Sequence, residues 1–417
     1  MSNAARIYEA TCTAPVNIAV IKYWGKRDVA LNLPTNSSLS VTLDQDDLRS
    51  TTTIRASEDF KSDRLWLNGT EDAIKNGSRL EKAIEGVREL RRKLEKEPQN
   101  HDDKPLSTLN IHIVSYNNFP TAAGLASSAS GFAALVYTLA TLYGLTSSSS
   151  PTSTLSTLSS IARLGSGSAC RSLFGGYVAW RVGSSPSGTD SLAVQVAPLS
   201  HWPDLHAVIC VVSDAKKGVA STAGMQATLA TSPLIKHRIE KVVEGRMEEM
   251  EKAIKEKDFD TFAKVTMRDS NQFHAVCLDT DPPIFYMNDA SRAIVALITE
   301  LNRSSLEMGG GHLAAYTYDA GPNAVVYVRE KDVKTVINLV LRYFEGVNYD
   351  RTEKGLWTAG ETPGGERLPE GFREEVAKKW SEGAVKRLIH TKVGEGPRVL
   401  DRKEGLIGDD GLPKATA

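Results

Sequence analysis

The run Asn117-Asn118-Phe119-Pro120-Thr121-Ala122-Ala123-Gly124-Leu125-Ala126-Ser127-Ser128-Ala129-Ser130-Gly131 places small residues and hydroxyls between two apolar patterns. Before it, Leu109 to Ser115 alternates apolar and polar as a half-buried strand does; after it, Phe132, Leu135, Val136, Leu139, Leu142 and Tyr143 recur at helical spacing. A helix start carries unpaired N–H groups and the positive end of the dipole, and both favour a phosphate. Gly124 lets the backbone approach a ligand closely, while the Ser127 and Ser128 hydroxyls can bond phosphate oxygens or a metal that those oxygens hold. A capped helix after a surface loop has the same pattern, so the run alone leaves both readings open. No Gly-x-x-x-x-Gly-Lys-Ser/Thr occurs in the chain, which excludes a Walker loop.

Three further clusters carry groups suited to anions. Ile21-Lys22-Tyr23-Trp24-Gly25-Lys26-Arg27-Asp28 crowds charges around two aromatics and a glycine, and Asn17, Lys22, Tyr23 and Lys26 are all donors fit for a polyanion. A solvated hairpin end with aromatics packed on lysine stems is the alternative. Gly165-Ser166-Gly167-Ser168-Ala169-Cys170-Arg171-Ser172 combines flexible glycines, hydroxyls and one arginine in a second candidate anion site. Arg79 stands at the start of a helical pattern, where a cation opposes the dipole, so a bound anion or surface indifference explains it. Asp319 opens Asp319-Ala320-Gly321-Pro322-Asn323, a run of turn formers, and either begins that turn or serves as an aimed carboxylate. Asp28 and Asp44 are less favoured as bases because no hydroxyl-rich shell surrounds them in sequence.

The elements that must position these groups follow from periodicity. Tyr8 to Val20, Ser37 to Leu43 and Thr51 to Ala56 favour strand, and Leu80, Ile84, Val87, Leu90 and Leu94 mark an amphipathic helix. A serine-rich loop from Thr146 to Thr154 leads into a helix that ends at Gly165. Strand character returns at 173–182, 192–196 and 206–212, followed by a small-residue loop over Ser213 to Met225 holding Lys216, Lys217, Ser221 and Thr222. Helices are expected over 234–256, 259–276, 284–301 and 333–344. His312 to Tyr318 and Ala324 to Val328 form a hairpin around Asp319, 385–393 is a last strand, and the tail from Gly394 is turn-rich. No internal repeat is visible.

With 417 residues the chain can bury a large core in more than one lobe, and a net charge of −1 argues against a nucleic acid or membrane as main partner. Cys12, Cys170, Cys210 and Cys277 lie far apart without a C-x-x-C pair, which fits a reducing compartment. No apolar run reaches membrane-spanning length and Met1 to Arg6 lacks a signal-peptide core, so a soluble, cytoplasmic protein is expected.

Pro120 to Ala129 matches Pro-x-x-x-Gly-Leu-x-Ser-Ser-Ala, a phosphate loop similar to that of the superfamily including galactokinase, homoserine kinase and mevalonate kinase. Taken with Ala14 to Arg27, Gly165 to Ser172, Phe273-His274-Ala275 through Pro282-Pro283, and Asp319 to Asn323, in that order, the chain resembles the mevalonate diphosphate decarboxylase family along nearly its whole length. Two departures are Asp281, where an aromatic precedes the double proline in the family, and Ser130, where alanine is usual. Neither falls on an expected ligand contact.

The resemblance implies an α+β fold of two mixed α/β lobes of the galactokinase/homoserine kinase/mevalonate kinase type, with the active site in the cleft between them. Residues 1–200 would form the lobe with the phosphate loop and 201–417 the lobe with the Asp319 hairpin. It further implies conversion of ATP and 5-diphosphomevalonate to isopentenyl diphosphate, ADP, phosphate and carbon dioxide, with Mg²⁺, in a homodimer. Implied substrate contacts are Asn17, Tyr23, Trp24, Gly25, Lys26, Arg79, Ser166, Gly167, Ser168, Ala169, Cys170, Arg171 and Thr222. Those to ATP are Pro120, Ala123, Gly124, Leu125, Ala126, Ser127 and Ser128, with Ser128 a metal ligand. Asp319, Lys22, Ser128 and Arg171 would act in the reaction, Arg171 facing the substrate carboxylate and Asp319 orienting or deprotonating the tertiary hydroxyl. A kinase of the same superfamily that stops at phosphorylation, or a non-catalytic ligand sensor, are the alternatives. The Ser166 to Arg171 and Asp319 to Asn323 motifs argue against the first, and retention of Lys22, Asp319 and the loop serines against the second.

Overall fold

The structure, a computed structural model, describes residues 7–97, 105–119, 127–146, 151–215, 218–350, 355–357, 361–365 and 367–414. Pro120 to Ala126 of the phosphate loop, with Lys216 and Lys217, lie outside them. The architecture is α+β in two lobes. A six-stranded sheet runs Arg398–Val399, Ile7–Pro15, Arg49–Ser57, Asn110–Asn117, Arg64–Leu67, Thr70–Asp72. Helices Arg79–Glu95, Ser127–Leu142 and Pro151–Gly165 cover it, burying Ile54, Ile111 and Ile113 against Ile84, Val87, Leu139 and Leu158.

Two four-stranded sheets complete the frame. One runs Ala193–Ala197, Tyr177–Trp180, Ser38–Thr42, Asn17–Ile21; the other runs Ala314–Tyr318, Ala324–Arg329, Leu205–Val211, Arg387–Lys392. The core between them joins Ile18, Val41 and Tyr177 to Ile209, Val325 and Tyr327 through helices Val243–Glu256 and Phe259–Leu278. On its other side the second sheet packs on helices Asp289–Glu307 and Val333–Tyr343. No helix among the described residues is long and apolar enough to cross a membrane.

Several elements differ from the sequence reading. The expected strand Tyr8 to Val20 is two strands broken at Val16, whose carbonyl accepts the Leu43 N–H at 2.9 Å as the chain passes from one sheet to another. Part of the presumed loop 213–225 is the start of helix Ser221–Thr231, which its small residues disguise and which buries Gly224, Met225 and Thr228. The helix expected over 234–256 is interrupted by a wide π turn at Arg238–Val242, and Arg238 in that turn is fully buried. The helix expected from Ile284 begins at Asp289, after the capping box of Asn288 and Ser291. The tail from Gly394 packs on the first sheet. Cys12 pairs with Val399, Leu406 N–H donates to Thr53 Oγ1 at 2.9 Å, and Arg55 Nη1 donates to the Gly408 carbonyl at 2.6 Å.

The two family departures have structural partners of their own. The Ser130 hydroxyl bonds Ser50 Oγ at 2.7 Å, tying the helix after the loop to strand Arg49–Ser57. Asp281 is exposed, and its N–H donates to Thr231 Oγ1 at 2.9 Å.

Candidate active site

A cavity of about 380 Å³ opens where the lobes meet, and it gathers most of the residues singled out by type and spacing. Asn17, Lys22, Tyr23, Trp24, Lys26, Arg79, Ser127, Ser128, Ser166, Gly167, Ser168, Arg171, Thr222 and Asp319 all line it. Among the described residues that line it, four side chains are Lys or Arg and one is a carboxylate. That imbalance suits a polyanion.

Its centre is an ion pair assembled from opposite ends of the sequence. Lys22 Nζ donates to Asp319 Oδ1 at 2.7 Å, with side-chain exposures of 3% and 26%. Each residue sits one position beyond a strand, Asn17–Ile21 and Ala314–Tyr318, so each side chain leaves a rigid element near its fixed end. Burial pulls the Lys22 ammonium below its usual range, and the charge of Asp319 opposes that pull.

The Lys22 backbone is held from behind by residues that motif reading missed. Its N–H donates to Asp269 Oδ2 at 2.7 Å, and its carbonyl accepts from Arg238 Nη2 at 3.1 Å and Asn36 Nδ2 at 3.0 Å. Asp269 and Arg238 form an ion pair whose side chains are both 0% exposed. Burial alone would raise the Asp269 carboxyl; the Arg238 charge and hydrogen bonds hold it below the usual carboxylate range. A signal for Asp269 was available: it shares the helical stripe of Phe262, Thr266, Phe273 and Val276, where an acid must have a partner.

Arg171 is 2% exposed yet has only neutral partners among the described residues. Its Nε donates to Asn17 Oδ1 at 3.1 Å and Ser40 Oγ at 2.9 Å, and its Nη1 donates to Ser38 Oγ at 2.6 Å. A buried guanidinium with no carboxylate in hydrogen-bond contact among the described residues, on a cavity wall, is set to receive an anion. Tyr23 packs edge-on against Trp180 with centroids 4.7 Å apart, and its buried hydroxyl has no hydrogen-bond partner among the described residues. Ser128 Oγ and Ser166 Oγ are 3.1 Å apart, joining the start of helix Ser127–Leu142 to the turn that carries Arg171. That turn is a 3₁₀ helix, Gly167–Leu173, and the Ser168 carbonyl accepts from Asn17 Nδ2 at 3.1 Å.

Lys26 Nζ donates to Asn32 Oδ1 at 2.6 Å and to Thr222 Oγ1 at 3.2 Å. Asn32 is in turn clamped by donating to the Arg163 and Leu164 carbonyls. Burial, with repulsion from Arg79, pulls Lys26 down to about 8. Arg79 itself is exposed at the cavity mouth, the first residue of its helix after the Ser78 cap.

Three expected contacts do not line the cavity. Gly25 has φ +99°, and a Cβ there would meet Thr35 Oγ1 at 2.5 Å, so its place is a close turn. Ala169 and Cys170 are buried behind the wall, with Cys170 Sγ donating to the Gly167 carbonyl at 3.1 Å. Trp24 does line the cavity, and it packs on Phe273 while its Nε1 donates to Thr228 Oγ1 at 3.1 Å. Asp28 and Asp44 lie elsewhere, Asp28 accepting the Leu31 N–H and Asp44 the Asp46 N–H. Pro120, Ala123, Gly124, Leu125 and Ala126 lie outside the described residues.

A cation-rich cleft with one ion-paired carboxylate and hydroxyls at a helix start has the layout of a small-molecule phosphoryl-transfer site. Comparison with known proteins gives it a family. Residues 14–193 match the diphosphomevalonate decarboxylase-like N-terminal domain, and residues 207–400 match the mevalonate 5-diphosphate decarboxylase C-terminal domain. The Ganoderma lucidum diphosphomevalonate decarboxylase is 59% identical over 408 residues, 98% of this chain and 100% of that relative. An X-ray crystal structure of mevalonate 5-diphosphate decarboxylase is 48% identical with a TM-score of 0.82, covering 97% of this chain and 100% of its own. A structure described as MDDEF in complex with MVAPP, AMPPCP and magnesium is 29% identical with a TM-score of 0.69, covering 95% and 100%. The chain belongs to the mevalonate diphosphate decarboxylase family.

Proposed function

We propose that the chain converts ATP and 5-diphosphomevalonate to isopentenyl diphosphate, ADP, phosphate and carbon dioxide. The observation that carries this reading is the pairing, in one cavity, of the Lys22–Asp319 ion pair with the buried Arg171, whose hydrogen-bond partners among the described residues are all neutral. A phosphoryl-transfer site needs the first; a substrate that bears a carboxylate to be lost needs the second.

Asp319 accepts the proton of the tertiary hydroxyl and aims its lone pair as the oxygen–phosphorus bond forms and the bond from that phosphorus to the ADP oxygen breaks. Lys22 holds the Asp319 carboxylate at 2.7 Å and faces the charge that develops beside it. The carbon–oxygen bond to the new phosphate then breaks, the bond to the carboxylate breaks with its electron pair becoming the alkene, and carbon dioxide leaves. Arg171, with Asn17 and Ser38 fixing its plane, holds that carboxylate in place. Tyr23, Lys26 and Arg79 would hold the diphosphate. Magnesium asks for few protein ligands beside phosphate oxygens and water, and the hydroxyls of Ser127 and Ser128 on the cavity wall fit that demand. Bound ATP with Mg²⁺ supplies the phosphoryl group and offsets its charge.

The test is incubation with ATP, Mg²⁺ and 5-diphosphomevalonate while following both products. Carbon dioxide and ADP should appear one for one and only with divalent metal; ADP without carbon dioxide would mean a kinase. A second expectation concerns pH. Lys26 is charged below about 8 and neutral above it, so affinity for diphosphomevalonate should weaken as pH rises through that value. Calorimetric titration from about pH 7 to about pH 9 reads this. Lys26→Arg, which stays charged throughout, should flatten the profile. An unchanged slope in that variant would place the titration elsewhere.

A further inference from the structure

The motif Phe273-His274-Ala275 is used by nothing in the reaction as described, and only Phe273 of it lines the cavity. Its surroundings explain it. Strands Asn17–Ile21 and Ala314–Tyr318, which deliver Lys22 and Asp319, are both the outermost strands of their sheets. An outermost strand has backbone groups with no ladder partner on one side, and they must be met by something else.

Helix Phe259–Leu278 packs on both edges and meets those groups with side chains from one face. Asp269 accepts the N–H of Lys22, and Ser270 Oγ accepts the N–H of Tyr318 at 3.0 Å. One turn further on, the His274 ring packs on the Tyr318 ring with centroids 6.0 Å apart and faces the Tyr318 backbone. The N–H and carbonyl of one residue in an antiparallel strand point to the same side. Ser270 therefore holds the N–H of Tyr318, the residue immediately before Asp319, and the His274 ring stands on the side to which its carbonyl points. His274 is buried against the Phe273 ring at 4.7 Å and the Tyr318 ring at 6.0 Å, and its Nε2 has no hydrogen-bond partner among the described residues. Burial first, and then Lys22, pull the imidazole down to about 4, so it is neutral, while its contact with the Tyr318 backbone works in favour of a ring N–H.

We propose that His274 and Ser270 are positioning residues of the reaction, holding the Asp319 carboxylate in register with Lys22 through the backbone of Tyr318. The inference rests on the reaction proposed above. Small displacements of a reacting group cost rate steeply while leaving distant binding contacts intact, so the effect should fall on kcat and not on KM.

The experiment compares two variants that separate hydrogen bonding from packing. His274→Phe keeps a ring of similar bulk and removes the donor. His274→Asn loses bulk but can place an N–H near the Nδ1 position. If the residue only fills space, the Phe variant is the better enzyme; if it positions Asp319, the Asn variant is. Expected is a kcat about 10- to 100-fold down in His274→Phe, with KM for both substrates within about 3-fold. The Asn variant should recover most of that kcat despite a lower melting temperature. A Phe variant as active as the Asn variant, or kcat unchanged in both, overturns the proposal. Should neither fold, Ser270→Ala decides by the same split: kcat reduced with KM unchanged supports it, and unchanged kcat overturns it. Wild-type protein that makes ADP without carbon dioxide would end the decarboxylase reading, while the same kcat ordering followed by ADP release would still decide the positioning roles.

Discussion

Asp319→Asn should fold, bind both substrates and lose about 10²–10⁴ of kcat. Asn keeps the shape of Asp, and the turn after the strand does not depend on the carboxylate, since Gly321 N–H donates to the Asp319 carbonyl. A purely structural Asp319 would therefore leave a nearly active enzyme. A mechanistic one would not, for two reasons. Nothing then accepts the hydroxyl proton, and Lys22 loses the direct side-chain bond that, among the described residues, offsets its burial. With the Asp319 charge gone, the Lys22 ammonium is driven further toward its neutral form, so one substitution disables both partners. The double change with Lys22→Met should consequently cost less than the sum of the single ones. Steady-state kinetics and calorimetric binding check this together. A folded Asp319→Asn protein with near-normal kcat would remove this residue from the first step.

Asp269→Ala should be the most damaging substitution for stability, at about 3–5 kcal/mol. It strands Arg238, which is 0% exposed and whose carboxylate bonds among the described residues all go to Asp269. Arg246 loses the same partner at 3.0 Å. The urea midpoint reads the loss, and a change of less than about 1 kcal/mol would show that water reaches Arg238 after all. Activity should fall as well, because the Lys22 N–H loses its acceptor. Adding Arg238→Met removes the buried charge and should restore part of the stability. It should not restore kcat, since the Lys22 N–H and carbonyl would then both lack these anchors.

Much of this was legible in the residues themselves. Glycine, hydroxyl and cation types are chosen by ligand chemistry, so Lys22, Lys26, Arg171 and Ser128 stood out as candidates by type and local spacing, while the role expected of Asp319 came from the resemblance to the family. Long periodic helices such as Arg79–Glu95 and Phe259–Leu278, and the hairpin around Asp319, are set by short-range pattern and turn chemistry. Only the tertiary structure could bring Lys22 and Asp319 to 2.7 Å across most of the chain, because no local rule specifies which strand ends meet. It also decided that Gly25, Ala169 and Cys170 stand behind the wall: side-chain type states what a residue can do, and burial states whether a ligand can reach it. Asp269, Arg238 and His274 belong to the same class. Their partners are backbone groups or charges far away in sequence, and a buried polar side chain acquires its meaning from the partner that the fold supplies.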